Sequence, residues 1–407
     1  MTKRLLLLGG GHAQVHVLQA LAREPLAGAE VALITPFARQ LYSGMVPGLV
    51  AGHYRAEQCA IALQPLAAAA RVHFIEGAAV ALDAAARRVQ LADGRVAEYD
   101  VLSLDTGAVM DREQLPGARA HGLFVRPIEH FVRLLDGLLD LASRRVLDVV
   151  VIGGGAAGVE LALALQHRLA GRDEERPQAD DCVVRPPRGY EQSSQATFAH
   201  ERARVALVTG GPEPLAGYAP GVMQRAARAL ARHRITVFRD SCAALEPGAV
   251  VLGSGARLAC DAPLLATGAQ APAWLVGSGL ALDERGFVRT GPMLQSKSHK
   301  EVFAAGDVAT RDDAPHAKSG VYAVRAGPAL ALNLRRFIAG GSLEPHTPQQ
   351  RTLNLISCGE RSAIVSWGNW SAQGHWAWWW KDRIDRGFVA RYSSTVAPAA
   401  TEVTRSA

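Results

Sequence analysis

RLLLLGGGHAQ (residues 4–14) and LDVVVIGGGAAG (residues 147–158) decide the fold of this chain. Each stretch is an apolar run of strand length that turns through three glycines into an alanine-rich helical segment. EVALIT (30–35) follows the first stretch and RVALVT (204–209) the second, each as the next buried parallel strand of a βαβ unit. The pattern predicts an α/β fold with two Rossmann-like dinucleotide-binding domains.

The glycines of the two turns have a chemical reason. Where a strand is followed by Gly-x-Gly-x-x-Gly, backbone N–H groups and a helix N-terminus face a pyrophosphate, and side chains would collide with it. The second copy is complete, at Gly153, Gly155 and Gly158. The first copy has Gly9 and Gly11, but Gln14 stands in place of the third glycine, so its helix must lie farther from the strand or adjust around that side chain.

Both second strands end in threonine, at Thr35 and Thr209, where an acidic residue ordinarily hydrogen-bonds a ribose hydroxyl. No arginine is unambiguously placed for a 2′-phosphate. The sequence therefore leaves NADH and NADPH open as alternatives.

The composition is that of a globular protein. Of 407 residues, 49% are hydrophobic and 20% charged, and no uncharged apolar run is long enough for a membrane-spanning helix. The net charge of +6 is spread along the chain without a recognition module, which argues against nucleic-acid binding. No metal site is predicted, because no residue pair has metal-ligand spacing. The five cysteines lie far apart, which argues against a disulfide framework and favours a cytoplasmic location.

Three further segments make the pattern more specific: YDVLSLDTGA (99–108), CDAPLLATGA (260–269) and EVFAAGDVAT (301–310). The first two end a strand in Thr-Gly-Ala, and the third presents Gly306-Asp307 after a short apolar strand. Over nearly the whole chain, the order of these motifs resembles the pyridine nucleotide-disulfide oxidoreductase superfamily. The resemblance implies FAD as the bound cofactor and NAD(P)H as the hydride donor.

The resemblance also implies which residues bind the two cofactors. The first glycine turn is expected to hold the FAD pyrophosphate, and the aspartate of the Gly-Asp pair its ribityl and phosphate region. The residues expected near FAD are Gly9, Gly10, Gly11, His12, Ala13, Thr35, Gly44, Met45, Ala79, Thr106, Gly107, Gly306, Asp307, Lys318, Ser319 and Gly320. The residues expected near NAD(P)H are Gly153, Gly154, Gly155, Ala156, Ala157, Gly158, Glu160, Thr267 and Gly268.

In this superfamily the nucleotide domain is inserted within the flavin domain. The resemblance therefore implies FAD-binding parts at 1–112 and 263–337, an NAD(P)H-binding domain at 113–262, and a small tryptophan-rich C-terminal domain at 338–407. A long polar stretch at 171–204 is predicted to be an exposed insertion, either a lid over the nucleotide site or a solvated loop.

The segment QLYSGMVPGLVAGHY (40–54) lies where disulfide-containing members carry a C-x-x-x-x-C pair, and it contains no cysteine. Electrons are therefore expected to pass from the flavin directly to the acceptor. Among members without the dithiol, the chain resembles the type II NADH dehydrogenase branch, which implies a quinone acceptor, although the glutamines typical of that branch are absent from 320–325. Together with 318–334, the segment is still more similar to the flavoprotein module associated with selenide, water dikinases.

Two residues are candidates for catalysis. Glu160, on the first turn after the second glycine motif, is expected to position the nicotinamide end or to complement the helix N-terminus. Lys318, beside Ser319, is expected at the pyrimidine edge of the flavin. The alternative for this pair is a solvated loop lysine and a helix-capping serine.

Six of the seven tryptophans fall within fourteen residues of the C-terminal part, and they are followed by Lys381, Arg383, Arg386 and Arg391. Aromatic residues beside cations suit a membrane–water interface. The sequence therefore predicts either peripheral contact with the inner face of the cell membrane or packing of the tryptophans on the protein body. A homodimer is a further expectation.

Two other functions stay open on the sequence. A sulfide- or selenium-handling oxidoreductase needs cysteines near the flavin, and Cys358 with Cys182 is the loosely plausible pair, although lone cysteines more usually pack in the core. A flavoprotein redox sensor or scaffold would bind nucleotide tightly with slow turnover.

Overall fold

The computed structural model describes residues 2–170 and 203–393. Apart from its last two positions, the predicted insertion at 171–204 lies outside the described residues, and so does Cys182. Residues 394–407, at the end of the C-terminal part, lie outside them as well.

Strands and helices alternate along the described chain. The first part contains β1 (Lys3–Leu8), α1 (His12–Arg23), β2 (Ala29–Thr35), β3 (Arg39–Leu41), α2 (Val46–Val50), β4 (Ala60–Ala62), α3 (Leu63–Ala69), β5 (His73–Glu76), β6 (Ala79–Asp83), β7 (Arg88–Leu91), β8 (Val96–Glu98), β9 (Val101–Leu104) and α4 (Ala118–His121). The middle part contains β10 (Leu123–Phe124), α5 (Ile128–Arg144), β11 (Leu147–Ile152), α6 (Ala156–Leu169), β12 (Ala203–Val208), α7 (Pro220–Arg232), β13 (Thr236–Phe238), β14 (Cys242–Glu246), β15 (Ala249–Leu252), β16 (Arg257–Ala259) and β17 (Ala262–Leu265). The last part contains β18 (Val288–Thr290), β19 (Val302–Ala304), β20 (Ala309–Arg311), α8 (Gly320–Ala339), β21 (Leu353–Ser357), β22 (Ala363–Trp367), β23 (Trp370–Gly374) and α9 (His375–Ser393).

β1 is the central strand of a five-stranded parallel sheet in the order β19-β9-β1-β2-β5. Leu5 and Leu7 pack in the same core as α1 and α8, whereas Leu6 and Leu8 pack with residues of β6 and β7. Both faces of β1 are therefore covered, which explains its unbroken run of leucines.

β11 has the same central place in a second five-stranded parallel sheet, in the order β10-β17-β11-β12-β13. Val149 pairs with Val205 on one side and with Ala262 on the other. The helices α5, α6 and α7 contribute buried residues to the core around this sheet. The predicted α/β fold with two Rossmann-like parallel sheets is thus confirmed.

The C-terminal part is an antiparallel sheet, β21-β22-β23, followed by α9. Trp378, Phe388 and Tyr392 of α9 are buried in the same core as Leu5 and α1. Five other tryptophans, in the β22–β23 hairpin and on α9, are exposed: Trp367, Trp370, Trp376, Trp379 and Trp380. No helix among the described residues is long and apolar enough to cross a membrane.

Candidate cofactor site

A cavity of about 1100 Å³ opens at the carboxyl ends of the first parallel sheet, the position where open α/β sheets bind ligands. Its wall brings together distant segments of the chain: the first glycine turn, the ends of β2 and β9, the segment before α5, and the start of α8. The residues predicted near FAD that line it are Gly9, Gly10, Gly11, His12, Thr35, Ala79, Thr106, Gly107, Asp307 and Gly320.

The first glycine turn has no room for side chains. Gly9 has a φ of +97°, and a Cβ atom there would collide with the carbonyl oxygen of Asp105. A Cβ atom at Gly11 would collide with the Asp105 side chain, while the Gly11 N–H donates to the Asp105 carbonyl at 3.1 Å. The turn therefore packs tightly against the end of β9 and leaves its other side open to the cavity.

Asp105 is a site residue that the sequence reasoning missed. Its Oδ2 atom accepts hydrogen bonds from the backbone N–H groups of Ala13 at 2.8 Å and Gln14 at 2.9 Å, and its side chain lines the cavity. Burial raises the pKa of the Asp105 carboxyl to about 7, with a further upward contribution from Asp307. The available signal was an acidic residue directly before Thr106 in a strand that is otherwise fully buried.

Gln14 shows how the first unit does without its third glycine. Its side chain is fully buried between α1 and β9, and Nε2 donates to the Ser103 carbonyl at 2.6 Å. In the second unit, a Cβ atom at Gly158 would collide with the carbonyl oxygen of Gly153. The α6 helix is thus held by close backbone contact, whereas α1 is held by side-chain hydrogen bonds to β9.

Asp307 forms an ion pair with Arg126, whose Nη1 lies 2.8 Å from the Asp307 Oδ2 atom. Both side chains line the cavity, and Arg126 comes from the segment between β10 and α5. Arg126 was not predicted. Its place beside Asp307 puts a cation next to the glycine turn where anionic phosphates are expected.

His12 forms an aromatic part of the site. Its Nδ1 lies 2.9 Å from the Gln40 amide, and its ring lies 5.4 Å from the Tyr42 ring and 6.0 Å from the Phe388 ring. Burial lowers the pKa of His12 to about 4, so the imidazole is neutral at physiological pH. It therefore supplies a neutral polar edge rather than a cation.

Several residues predicted near FAD lie just behind the cavity wall. Gly44 and the buried Met45 belong to a short turn of 3₁₀ helix beginning at Ser43, which does line the cavity. Ala13 contributes its backbone N–H to Asp105. Gly306 has a φ of +71°, and a Cβ atom there would collide with the Asp105 carboxyl.

Lys318 and Ser319 do not line the cavity. The Lys318 ammonium donates to the Ala309 carbonyl and, at 2.9 Å, to the Thr310 hydroxyl, and it lies 3.8 Å from the centre of the Phe287 ring. Burial lowers the pKa of Lys318 to about 8. Ser319 is the N-cap residue of α8 but makes no side-chain capping bond. We therefore leave both residues out of the proposed flavin-binding set, because the Lys318 side chain turns toward β20 and away from the cavity.

The second glycine turn has the open geometry expected of a nucleotide site. Gly153 has a φ of +132°, and a Cβ atom there would collide with the carbonyl oxygen of Ala266, directly before Thr267 and Gly268. The Gly154 carbonyl accepts a hydrogen bond from the Leu215 N–H at 2.7 Å. Gly155 is the N-cap of α6, and the helix begins at Ala156 and Ala157.

Glu160 is engaged with the C-terminal part instead of the outer face of α6. Its Oε1 atom accepts a hydrogen bond at 2.8 Å from the backbone N–H of Ser357, at the end of β21. Burial raises the pKa of Glu160 to about 7, and nearby Lys381 acts in the opposite direction. Glu160 therefore joins the nucleotide unit to the C-terminal sheet.

The four described cysteines, Cys59, Cys242, Cys260 and Cys358, form no disulfide among themselves, and none lines the cavity. Burial raises the pKa of the Cys358 thiol to about 12, which disfavours a reactive thiolate. The Cys358–Cys182 pairing falls partly outside the described residues. No group of described His, Cys, Asp and Glu residues is arranged to hold a metal ion.

Two parallel sheets with glycine turns, one opening into a large cavity, define a class of flavin- and pyridine-nucleotide-dependent oxidoreductases. The family described as pyridine nucleotide-disulphide oxidoreductase matches residues 3–329. The chain belongs to this family. FAD and NAD(P)H are accordingly its cofactors, and it is an oxidoreductase.

Sequence relatives include dehydrogenases and a quinone reductase. An NADH dehydrogenase-like protein of Mycobacterium tuberculosis is 29% identical over 259 residues, covering 62% of this chain and 58% of that protein. The chain thus matches little more than half the length of this relative. Demethylphylloquinone reductase NdbB of Synechocystis is 25% identical over 324 residues, covering 76% of this chain and 73% of that protein. The comparisons do not support the expected similarity to the module associated with selenide, water dikinases.

Solved structures share the fold. The sulfide:quinone oxidoreductase of Aquifex aeolicus aligns with a TM-score of 0.76 and 18% identity, covering 98% of this chain and 93% of that chain. The NDH2 of Plasmodium falciparum in complex with NADH aligns with a TM-score of 0.74 and 11% identity, covering 97% and 98%. At these identities the likeness concerns the fold alone.

Proposed function

We propose that this protein transfers hydride from NAD(P)H to FAD and then reduces a quinone directly from the flavin, without a redox disulfide. The observation that carries the proposal is the cavity at the end of the first sheet, which has the glycine turn and Asp307 in its wall but no cysteine among the described residues. The acceptor must then meet the flavin itself. The quinone reductase and dehydrogenase names of the sequence relatives support a quinone as that acceptor.

The residues of this chain divide the work between the two glycine turns. Gly9 and Gly11 leave space for the FAD pyrophosphate, and Arg126 with Asp307 supplies charged contacts beside it. Gly153 and Gly155 present the open end of α6 to the NAD(P)H pyrophosphate. When bound, FAD supplies the hydride-accepting ring, and the chain contributes proximity and orientation.

We further propose that the C-terminal part brings the protein to a membrane, where a lipid-soluble quinone is found. Trp376, Trp379 and Trp380 of α9 are between 42% and 58% exposed, and Arg383 is exposed on the same helix. The acidic residues of α9, Asp382 and Asp385, are buried on its other face. An exposed surface of tryptophan and arginine suits an anionic lipid interface. The homodimer remains a prediction.

The test is an anaerobic titration of the purified protein with NADH and, separately, NADPH, followed by flavin absorbance. We expect stoichiometric bleaching of the flavin and its rapid recovery when a soluble quinone is added. The matched control is the same reduced protein given sodium sulfide or buffer in place of quinone. Bleaching by nucleotide without reoxidation by quinone would overturn the quinone assignment and leave the cofactor assignment standing.

A further inference from the structure

The carboxyl of Asp105 uses only one of its two oxygens within the protein. Oδ2 accepts from the Ala13 and Gln14 N–H groups, at the start of α1. No described residue donates a hydrogen bond to Oδ1, and the Asp105 side chain lines the cavity. The second oxygen is therefore available to a ligand, although the residue is only 2% exposed.

The charged and titratable groups around Asp105 do not favour its ionised form. Asp307, on the turn after β19, is a like charge and is itself paired with Arg126 from the segment before α5. His12, on α1, is neutral because burial lowers its pKa to about 4. From α8, the cavity wall receives only the uncharged residues Gly320 and Ala323.

The second unit shows that this aspartate is not needed for the fold itself. Ala266 occupies the corresponding place before Thr267 and Gly268, and Gly158 packs directly on Gly153. In the first unit, Asp105 and Gln14 replace that pair, and their side chains tie α1 to β9. The replacement puts a carboxyl at the helix N-terminus, where the pyrophosphate of a dinucleotide is also expected.

We propose that Asp105 binds FAD as a neutral carboxylic acid. Oδ2 keeps its two backbone hydrogen bonds, and the proton on Oδ1 donates to an oxygen of the FAD phosphate or ribityl region. An ionised carboxylate at this place would instead repel the pyrophosphate across a cavity of low dielectric. The inference rests on FAD as the cofactor and is independent of the acceptor.

The consequence is that FAD binding and proton binding are coupled. Burial raises the pKa of Asp105 to about 7 in the protein without ligand. Above that pH the carboxyl is ionised, and each FAD that binds must bring one proton with it. Linkage then requires the affinity to fall about tenfold per pH unit above pH 7, and to be nearly constant below it.

The experiment uses deflavinated full-length protein and FAD. We expect the Kd, measured by quenching of flavin fluorescence, to rise about 100-fold between pH 7 and pH 9 in the wild type. Asp105→Asn keeps a neutral side chain, so its Kd should change by less than about threefold over the same range. Glu129→Gln is the matched control: it removes another buried carboxyl of the cavity wall and should keep the full wild-type slope.

Calorimetry gives a second readout that needs no variant. Titration of FAD into the wild type at pH 8.5, in two buffers of different ionisation enthalpy, should show uptake of about one proton per FAD. Uptake near zero would overturn the proposal even if Asp105→Asn fails to fold, and so would an Asn variant that keeps the wild-type slope. A protein that binds no FAD at any pH would overturn the cofactor assignment as well.

Discussion

Lys381 and Asp385 form a buried ion pair on the inner face of α9, with Nζ 2.6 Å from Oδ2. The same ammonium donates to the carbonyl of Gly44, directly after the cavity residue Ser43. On this face, Phe388 stacks on Tyr42 with ring centres 4.3 Å apart. The C-terminal helix is therefore fixed to the segment that forms one side of the proposed flavin site.

Replacing Lys381 with methionine should destabilise the protein strongly. The substitution leaves the Asp385 carboxylate buried without its partner, and we expect a loss of about 3–5 kcal/mol in the free energy of unfolding. Urea unfolding followed by tryptophan fluorescence measures it. The double variant Lys381→Met/Asp385→Leu should recover most of the loss, because no uncompensated charge remains. Arg144→Gln breaks an exposed pair and should change stability by less than about 1 kcal/mol; a Lys381 variant that behaves like it would refute the expectation.

The glycine positions of the second turn give a steric prediction. Gly158→Ala places a Cβ atom against the Gly153 carbonyl, so α6 must shift away from β11. We expect a loss of about 1–3 kcal/mol in stability and weaker NAD(P)H binding, measured as slower flavin reduction at limiting nucleotide. Gly137→Ala is the control, because it lies on the exposed side of α5 with nothing within 4 Å. Equal effects of the two substitutions would contradict the close packing of α6.

Much of the fold could be predicted from the sequence because the two glycine turns are local signals. A strand, a turn that excludes side chains and a helix follow one another within about fifteen residues, so one short stretch carries the whole unit. The Asp307 position was found in the same way, from a Gly-Asp pair after a strand, and it lines the cavity.

The residues missed or misplaced are those whose role depends on distant contacts. Arg126 meets Asp307 across 181 positions of sequence, and no local pattern marks it. Lys318 is next to the cavity in sequence, but the direction of its side chain is set by Phe287 and β20. Asp105 stands inside a recognised motif, yet the Thr-Gly reading of that motif gives no role to the residue before it.

The two faces of α9 are arranged in a way that residue type alone does not predict. Its charged residues Lys381, Asp382 and Asp385 are buried, because Gly44 and Tyr54 supply their partners. The bulky apolar positions Trp376 and Trp380 point outward. Hydrophobic patterning would assign these faces the opposite way, and only the tertiary contacts of the 40–54 segment reverse it.

Glu160 should make stability depend on pH with a sign opposite to that of an ordinary surface carboxyl. Its pKa is about 7 in the folded protein, above the model value of 4.5, so the folded state keeps a proton that the unfolded chain has released. This contribution to stability is present at low pH and is lost as the pH rises from about 4.5 to 7. Glu160→Gln should therefore be more stable than the wild type by up to about 3 kcal/mol at pH 8, with the difference vanishing near pH 4.5.

The measurement is urea unfolding of both proteins at pH 4.5, 6 and 8, in the same buffer mixture. Gln keeps an oxygen that accepts from the Ser357 N–H, so the comparison isolates the charge. A difference between the two proteins that is constant across this pH range would show that Glu160 is ionised in the fold.

The exposed tryptophans of α9 should bind lipid without stabilising the fold. Each presents about half of its side chain to solvent, so Trp376→Ser/Trp379→Ser/Trp380→Ser should leave the thermal midpoint nearly unchanged. Partition to anionic vesicles should fall at least about tenfold, because three aromatic side chains no longer enter the interface. The control is Val146→Ser/Val276→Ser, which removes exposed apolar side chains elsewhere and should leave partition unaltered. Unchanged partition of the triple variant, together with a lowered midpoint, would instead assign the tryptophans to packing.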